Sequence, residues 1–544
     1  VHFSPFKNIS MRIKIYSLAV VLLLSTLITA CKNNLEEIVY SDVTSSNYKY
    51  DNPNSAIGIV YANMRDLFGH QNYYMLQETT SDELVMPANA SGWDDGGIYK
   101  HMHLHTYNSE DPQLNNMFNR LYAGVINANR IIEQIESGVI VPPSGVSKEM
   151  LTGEIRVARA FYYWLICDNF GNAPFVTSTA DKSLPGTTSR KDIYNFVVSE
   201  ITASLPSLSE NLDKSMYGRF NKWAAKALLA NVYLNAQVYS GETKWAECLA
   251  QCNDIIGKYS LENNYADIFK TQNENSPEII FAIPFDQTLG QGLFTEMYSW
   301  HGALKGKKNM QATPWGSGSA MGISQFIDTY SPNDERLADT WLMGPQFAVD
   351  GSALLGSYDQ AGKPLNFTKN LPNGLFTGES EGYRMNKFEV QLNAMQNLSN
   401  DFPFFRYGQV LLMKAECLLR TGDAAQAAAL VSQVRVRAFK KNPAEAVVTA
   451  ADLLQNSAYK FGYVENYNII DAGDQSVIQY GGFLDELGYE FAWEGFRRRD
   501  DIRFGVYTKK SWLSHQPKGD DKILFPIPQP ALNSNPNLKQ NPGY

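Results

Sequence analysis

The 544-residue chain is 44% hydrophobic and 19% charged, a balance that buries a sizeable core and excludes an intrinsically disordered protein. Its formal net charge is −9 at pH 7, and the first 30 residues hold Lys7, Arg12 and Lys14 with no acid, so the remainder is more negative still; nucleic acid is excluded as the expected partner. Aromatic residues reach 12%, with 30 Tyr, 28 Phe and 9 Trp, more ring surface than a core needs, and part of it is expected to meet ligand.

Residues 1–10 are expected to precede a start at Met11. From there MRIKIYSLAVVLLLSTLITAC reads as a secretory signal: basic Arg12 and Lys14, an apolar run from Ile15 to Ile28, then small residues before a cysteine. The apolar run is shorter than the roughly 20 residues that span a bilayer. Leu27-Ile28-Thr29-Ala30-Cys31 resembles a bacterial lipobox, in which the cysteine sulfur takes a diacylglycerol; acyl chains burying about 0.8 kcal/mol per methylene tether a protein without spanning the membrane. Lys32 to Glu37 is the expected tether, and no later run reaches spanning length without charge, Pro or Gly.

A series of amphipathic helices follows. Asp111 to Glu136 places Leu114, Met117, Leu121, Val125, Ala128, Ile132 and Ile135 on one stripe, and Lys148 to Asp168 aligns Ile155, Ala158, Tyr162 and Leu165 before Gly171-Asn172-Ala173-Pro174. Arg190 to Leu205 predicts a third helix. Two alanine-rich pairs, Lys222 to Gln237 with Trp245 to Ile256 and Tyr407 to Arg420 with Ala424 to Arg437, have the size of tetratricopeptide units without the full repeat signature. Cys167, Cys248, Cys252 and Cys417 all fall in helical patterns and read as small buried hydrophobes. Between about 258 and 400 periodicity fades into Gly, Pro, Asn and aromatics, with one readable strand, Glu278 to Pro284; irregular chain of that length is usually functional or disordered, and the density of Trp and Tyr argues against disorder.

Three groups of side chains invite a chemical reading. His101, His103 and His105 alternate, so on a strand their imidazoles share a face; a solvated or ligand-facing stripe is expected there, and no metal. Glu490, Glu494 and the run Arg497 to Asp501 suit ion pairs that hold a helix against the Pro-rich tail better than acid–base catalysis. The loop Trp93-Asp94-Asp95-Gly96-Gly97 and the region holding Tyr298, Trp300, His301 and Trp315-Gly316-Ser317-Gly318 are aromatic, polar and punctuated by glycine, where rings stack on a sugar face or a peptide side chain and polar groups read hydroxyls. H-E-x-x-H, paired C-x-x-C, Walker and G-x-S-x-G motifs are missing, so neither an enzyme nor a cofactor is expected.

Six ordered blocks resemble the SusD/RagB family of nutrient-binding lipoproteins from Bacteroidetes-type bacteria. They are Asn127 to Arg130, Arg156 to Tyr163 running into Phe170 to Pro174, Gly218 to Ala230, Phe405 to Glu416 with Val434 to Ala438, Tyr489 to Arg497, and the tail Phe525 to Pro528 with Gln540 to Tyr544. Asp485-Glu486-Leu487-Gly488 departs from the family's usual Glu-Arg pair, and Glu36 with Glu37 gives only part of its acidic export signal. The resemblance implies a mostly α fold, SusD-like, with tetratricopeptide-like helix pairs and a loop-rich C-terminal part with few short strands. It divides the chain into the leader 1–30, an N-terminal helical region 31–257 and a C-terminal region 258–544. It also implies a lipid-anchored outer-membrane protein, facing the exterior through Cys31, that binds oligosaccharides, or peptides in some members, through Trp93, Asp94, Asp95, Tyr298, Trp300, His301 and Trp315, and hands them to a SusC-like TonB-dependent transporter. A lipid-anchored glycoside hydrolase and a protein-binding helical scaffold are the rival expectations.

Overall fold

The computed structural model describes residues 52–372 and 375–544; the expected leader, the tether and Cys31 lie outside the described residues. Helices α1 (Pro53–Arg65), α2 (Tyr73–Thr79) and α3 (Ile98–His103) lead into α4 (Pro112–Glu136), α5 (Lys148–Asn169) and α6 (Arg190–Ser204). Pro112 sits at the first turn of α4, where its missing N–H is not needed, and the whole predicted stripe from Leu114 to Ile135 is buried. α5 packs against α4 on one side and α6 on the other, which is why almost all of it is buried. Gly124 of α4 leaves room for the Tyr162 ring of α5; a Cβ there would overlap it.

The alanine-rich pairs are α7 (Lys222–Leu234) with α8 (Trp245–Ile255) and α9 (Tyr407–Thr421) with α10 (Ala424–Arg435). Asn221 starts α7 by accepting from the N–H groups of Trp223 at 3.1 Å and Ala224 at 2.9 Å. That helix stops at Leu234 rather than Gln237: Asn231 and Asn235 donate back to the carbonyls of Ala227 and Asn231, local bonds that compete with the helical ladder. α8 packs on both α7 and α9, so the two pairs stack in the manner of tetratricopeptide units. Cys167, Cys248, Cys252 and Cys417 are buried free thiols.

Among the described residues between 258 and 400 no helix exceeds six residues. The predicted strand is β2 (Ile279–Ile283), all five residues buried, and it pairs antiparallel with β6 (Phe402–Arg406), which leads directly into α9. A four-stranded sheet was not legible in the sequence. Its strands are two residues each, β1 (Leu84–Val85), β3 (Met321–Gly322), β4 (Trp341–Leu342) and β5 (Arg384–Met385), in the order β1-β3-β5-β4, too short for any alternation to register. Through β1 and β3 it joins the loops after α2 to the middle of the chain. The last helices are α11 (Gly481–Phe491) and α12 (Arg497–Arg503), after which the tail returns to α5: Phe525 N–H donates to Asn169 O at 2.8 Å and Asn541 Nδ2 to Phe170 O at 2.7 Å. No described helix is long and apolar enough to cross a membrane.

Candidate ligand-binding site

Two irregular segments meet beyond the sheet. The first is the turn Asp94 to Gly97: Asp95, Gly96 and Gly97 have φ of 51°, 66° and 81°, a left-handed run that glycine tolerates at two of its three positions, and Asp94 closes it by accepting from Gly96 N–H at 3.0 Å. The second is Trp315 to Gly318. Gly316 lies so close to Ser91, and Gly318 to the Ser299 carbonyl, that a Cβ at either would clash; Asn89 Nδ2 also donates to Ser319 Oγ. These close approaches bring Trp93 and Trp315, far apart in sequence, to the same face.

Between them stands His70, immediately before α2. Its ring centroid lies 6.3 Å from Trp93, 5.7 Å from Tyr99, 6.0 Å from Tyr298 and 5.6 Å from Trp315, the last edge-on at 83°. Phe294 adds a ring 5.8 Å from Trp315. Trp315 is 38% exposed and Trp93 half-buried, whereas Tyr298, 2% exposed, forms the floor. Asp95 anchors the arrangement: both carboxylate oxygens accept from Gln71 Nε2 at 3.0 Å, and Oδ2 lies 3.6 Å from His70 Nε2. Burial lowers the His70 pKa and Asp95 only partly offsets it, so the imidazole is neutral at neutral pH. Burial likewise raises the Tyr298 phenol, whose oxygen has no hydrogen-bond partner among the described residues. The result is an open arc of rings with a neutral imidazole and one exposed carboxylate, Asp94, at its edge. A polar hollow of about 610 Å³ between Tyr217, Tyr259 and Pro277 lies in other elements.

Of the seven residues expected to meet ligand, the structure thus brings together Trp93, Asp95, Tyr298 and Trp315, with Asp94 beside them. Trp300 and His301 turn inward. Trp300 is 2% exposed, and its indole N–H donates to Met385 O in β5 at 2.7 Å. His301 is 1% exposed, its Nε2 bonded to Glu379 Oε1 at 2.8 Å and its Nδ1 accepting from Ala303 N–H at 3.0 Å. His70, Tyr99 and Phe294 join the arc without having been singled out; the polar His70-Gln71-Asn72 run just before a helix start, with Asn72 capping Tyr73 N–H at 2.8 Å, was the available signal.

The histidine stripe is corrected. His101 and His103 lie on α3 and not on a strand, because the left-handed Gly96-Gly97 turn launches a helix there. His101 pairs with Asp111 at 3.0 Å, His105 Nε2 meets Thr80 O at 2.9 Å, and His103 Nε2 accepts from Ser514 N–H at 3.3 Å. His103 and His105 are buried against the segment around His515 and His101 faces away from them, so there is no solvated or ligand-facing stripe of three. Among the described residues no three His, Cys, Asp or Glu side chains converge so as to hold a metal ion. The carboxylates of Glu490 and Glu494 are fully buried and engaged by Arg406 at 2.7 Å each, with Arg437 on Glu490 and Lys387 on Glu494; they form ion pairs, as expected, but with β6 and its neighbours and not with the Pro-rich tail. Arg498 ties α12 to the tail by donating to Ile523 O at 2.8 Å.

A stacked-helix scaffold that carries aromatic rings on irregular loops suits a binding protein. The comparisons assign it: a model described as SusD family matches residues 228–544, and one described as starch-binding associating with outer membrane matches residues 34–234, so the chain belongs to the SusD/RagB family of outer-membrane nutrient-binding proteins. It is 27% identical over 457 residues to SusD-like protein P25 of Formosa agariphila, covering 78% of each, and 24% identical over 434 residues to the starch-binding protein SusD of Bacteroides thetaiotaomicron, covering 72% of each. Its fold is similar to that of surface glycan-binding protein A from Bacteroides thetaiotaomicron in complex with laminarihexaose, with a TM-score of 0.65 at 18% identity over 90% of this chain and 98% of that one.

Proposed function

We propose that this chain is a non-catalytic receptor for nutrient oligosaccharides, held at the outer face of the outer membrane by lipid on Cys31, that hands its ligand to a SusC-like TonB-dependent transporter. The observation that carries this reading is the arc of Trp93, Tyr298 and Trp315 around His70: sugar rings present apolar faces, and an open arc of side chains stacks on them without a deep cavity. Family membership supports the transporter partnership and the envelope location, and the lipobox at Leu27 to Cys31 supports the anchor. The names of two relatives, starch-binding and laminarihexaose-bound, favour a saccharide over a peptide. A tethered receptor beside a transporter raises the local concentration of fragments that would otherwise diffuse away.

The test is calorimetry with gluco-oligosaccharides on the full chain. Trp93→Ala and Trp315→Ala should each weaken binding about tenfold, a stacking contact of roughly 1–1.5 kcal/mol, while the melting temperature and the length of the bound oligosaccharide stay unchanged. Undiminished affinity in both variants would refute the site, and shortening of the oligosaccharide would refute a non-catalytic receptor. Cys31→Ser should release the chain from the membrane fraction.

A further inference from the structure

Outside the arc stands another exposed ring, Tyr358, at the tip of a flap that runs from Gly344 to Phe367. The flap closes on itself through the pairs Gly344 with Phe367, Leu355 with Pro364 and Gly356 with Ala361. Tyr358 is 40% exposed, and a lone surface tyrosine is unremarkable by itself. Its mounting sets it apart. Glu379, a fully buried carboxylate, accepts from Ser357 N–H at 2.5 Å through Oε1 and from Gln360 N–H at 2.7 Å through Oε2, so it grips the backbone on both sides of Tyr358. The same Oε1 accepts from His301 Nε2 at 2.8 Å.

The hydrogen bonds fix the tautomer of His301. Nδ1 accepts from Ala303 N–H, so the ring proton is on Nε2 and points at Glu379. The imidazole also meets the Tyr358 ring edge-on, with centroids 6.0 Å apart and planes at 74°. One residue further along, Gly302 N–H donates to Gly316 O at 2.9 Å, next to Trp315. Two exposed rings, Trp315 and Tyr358, are therefore joined by a short rigid path through a buried His–Glu pair. A buried carboxylate is expensive to leave unpaired, and here it serves to fix an exposed loop tip relative to the arc rather than to pair with a basic side chain on the flap. Beside Tyr358, Asp359 braces the tip further: its carboxylate accepts from Glu379 N–H and from Gln360 Nε2, each at 3.0 Å.

We propose that Tyr358 is an outer subsite of the same binding face, stacking on a sugar unit beyond those held by the arc, so that the protein selects longer oligosaccharides, with His301 and Glu379 as positioning residues. The proposal rests on the reading of the arc as a saccharide site.

The experiment compares the full chain and its variants on maltotriose, maltohexaose, laminaritriose and laminarihexaose by calorimetry. Tyr358→Ala should weaken binding of the better hexasaccharide about tenfold and of its trisaccharide less than twofold, and Tyr358→Phe, which keeps the ring, should retain hexasaccharide affinity. His301→Ala should copy the length-selective loss; a merely structural role would weaken both lengths alike. Equal loss on both lengths in Tyr358→Ala, or none on the hexasaccharide, overturns the outer subsite while Trp315→Ala still reports on the arc. Trp315→Ala binding both lengths as well as wild type, or wild type retaining none of the four probes, removes the underlying reading and this one with it.

Discussion

At the scale of single residues the site is decided by which way a ring turns. Trp300 and Trp315 lie in the same irregular stretch, with the same glycine-rich neighbours, and periodicity gives no means of telling an inward ring from an outward one there. Packing tells them apart: Trp300 is sealed under β5 with its indole N–H on Met385 O, and Trp315 leans out over His70. Trp300→Ala should therefore destabilise the fold by about 3–5 kcal/mol, the range for removing a buried aromatic ring, seen as a lower midpoint in urea. A loss below about 1 kcal/mol would mean that Trp300 is not core. The role of His70 is harder to read for a different reason, since the polar run around it marks a helix start and no more. Its role comes from neighbours contributed by three separate segments, and nothing in its own flanking sequence records them.

At the scale of elements, the long helices were legible because burial on one face imposes a 3.6-residue period that survives in the sequence, as the stripe from Leu114 to Ile135 shows. The same logic misread His101 to His105, since a period of two over five residues is too short to outweigh a left-handed turn at Gly96-Gly97 that starts a helix. The joints between elements depend on charge. Arg406, at the end of β6, donates to Glu494 at 2.7 and 2.8 Å, to the Glu490 carboxylate at 2.7 Å and to Glu278 at 2.9 Å, linking β2, β6 and α11. Burial alone would raise the Glu490 carboxyl, but Arg437, Arg406 and Arg336 outweigh it and hold it below the usual carboxylate range. Arg406→Met should cost about 3–5 kcal/mol, because it strands carboxylates already removed from water. Denaturant unfolding should show a lowered midpoint without a changed slope, and an unaltered midpoint would mean that Arg437, Arg336 and Lys387 suffice without it.

At the scale of the whole molecule, the two ends of the described chain are packed together around buried imidazoles. His105 stacks on Tyr507 at 4.2 Å and lies 4.0 Å from His515, which in turn lies 4.0 Å from Trp512. Burial lowers His103 and His105 to about 3, and His515 falls well below its ordinary value through burial and the neighbouring imidazoles of His105 and His103. The unfolded chain takes up these protons near pH 6.5, whereas the folded chain refuses them. Stability contributed this way is complete above about pH 6.5 and is lost as pH falls towards the folded values. Glu78 acts in the opposite sense: burial raises it to about 7, so the folded state keeps a proton that the unfolded chain gives up above about pH 4.5, and its contribution declines as pH rises between those values. The two effects therefore have opposite signs in the dependence of stability on pH. His515 separates them experimentally, since it lies at the centre of this ring cluster, 4.0 Å from both His105 and Trp512, and phenylalanine there keeps an aromatic ring while removing the titrating group. His515→Phe should fold at least as stably as wild type at pH 5, and its unfolding free energy should fall less steeply between pH 6 and 4.5, by about 1.4 kcal/mol per pH unit for the one proton removed. Equal slopes in the two proteins would place His515 in contact with water and separate the acid limb from this joint.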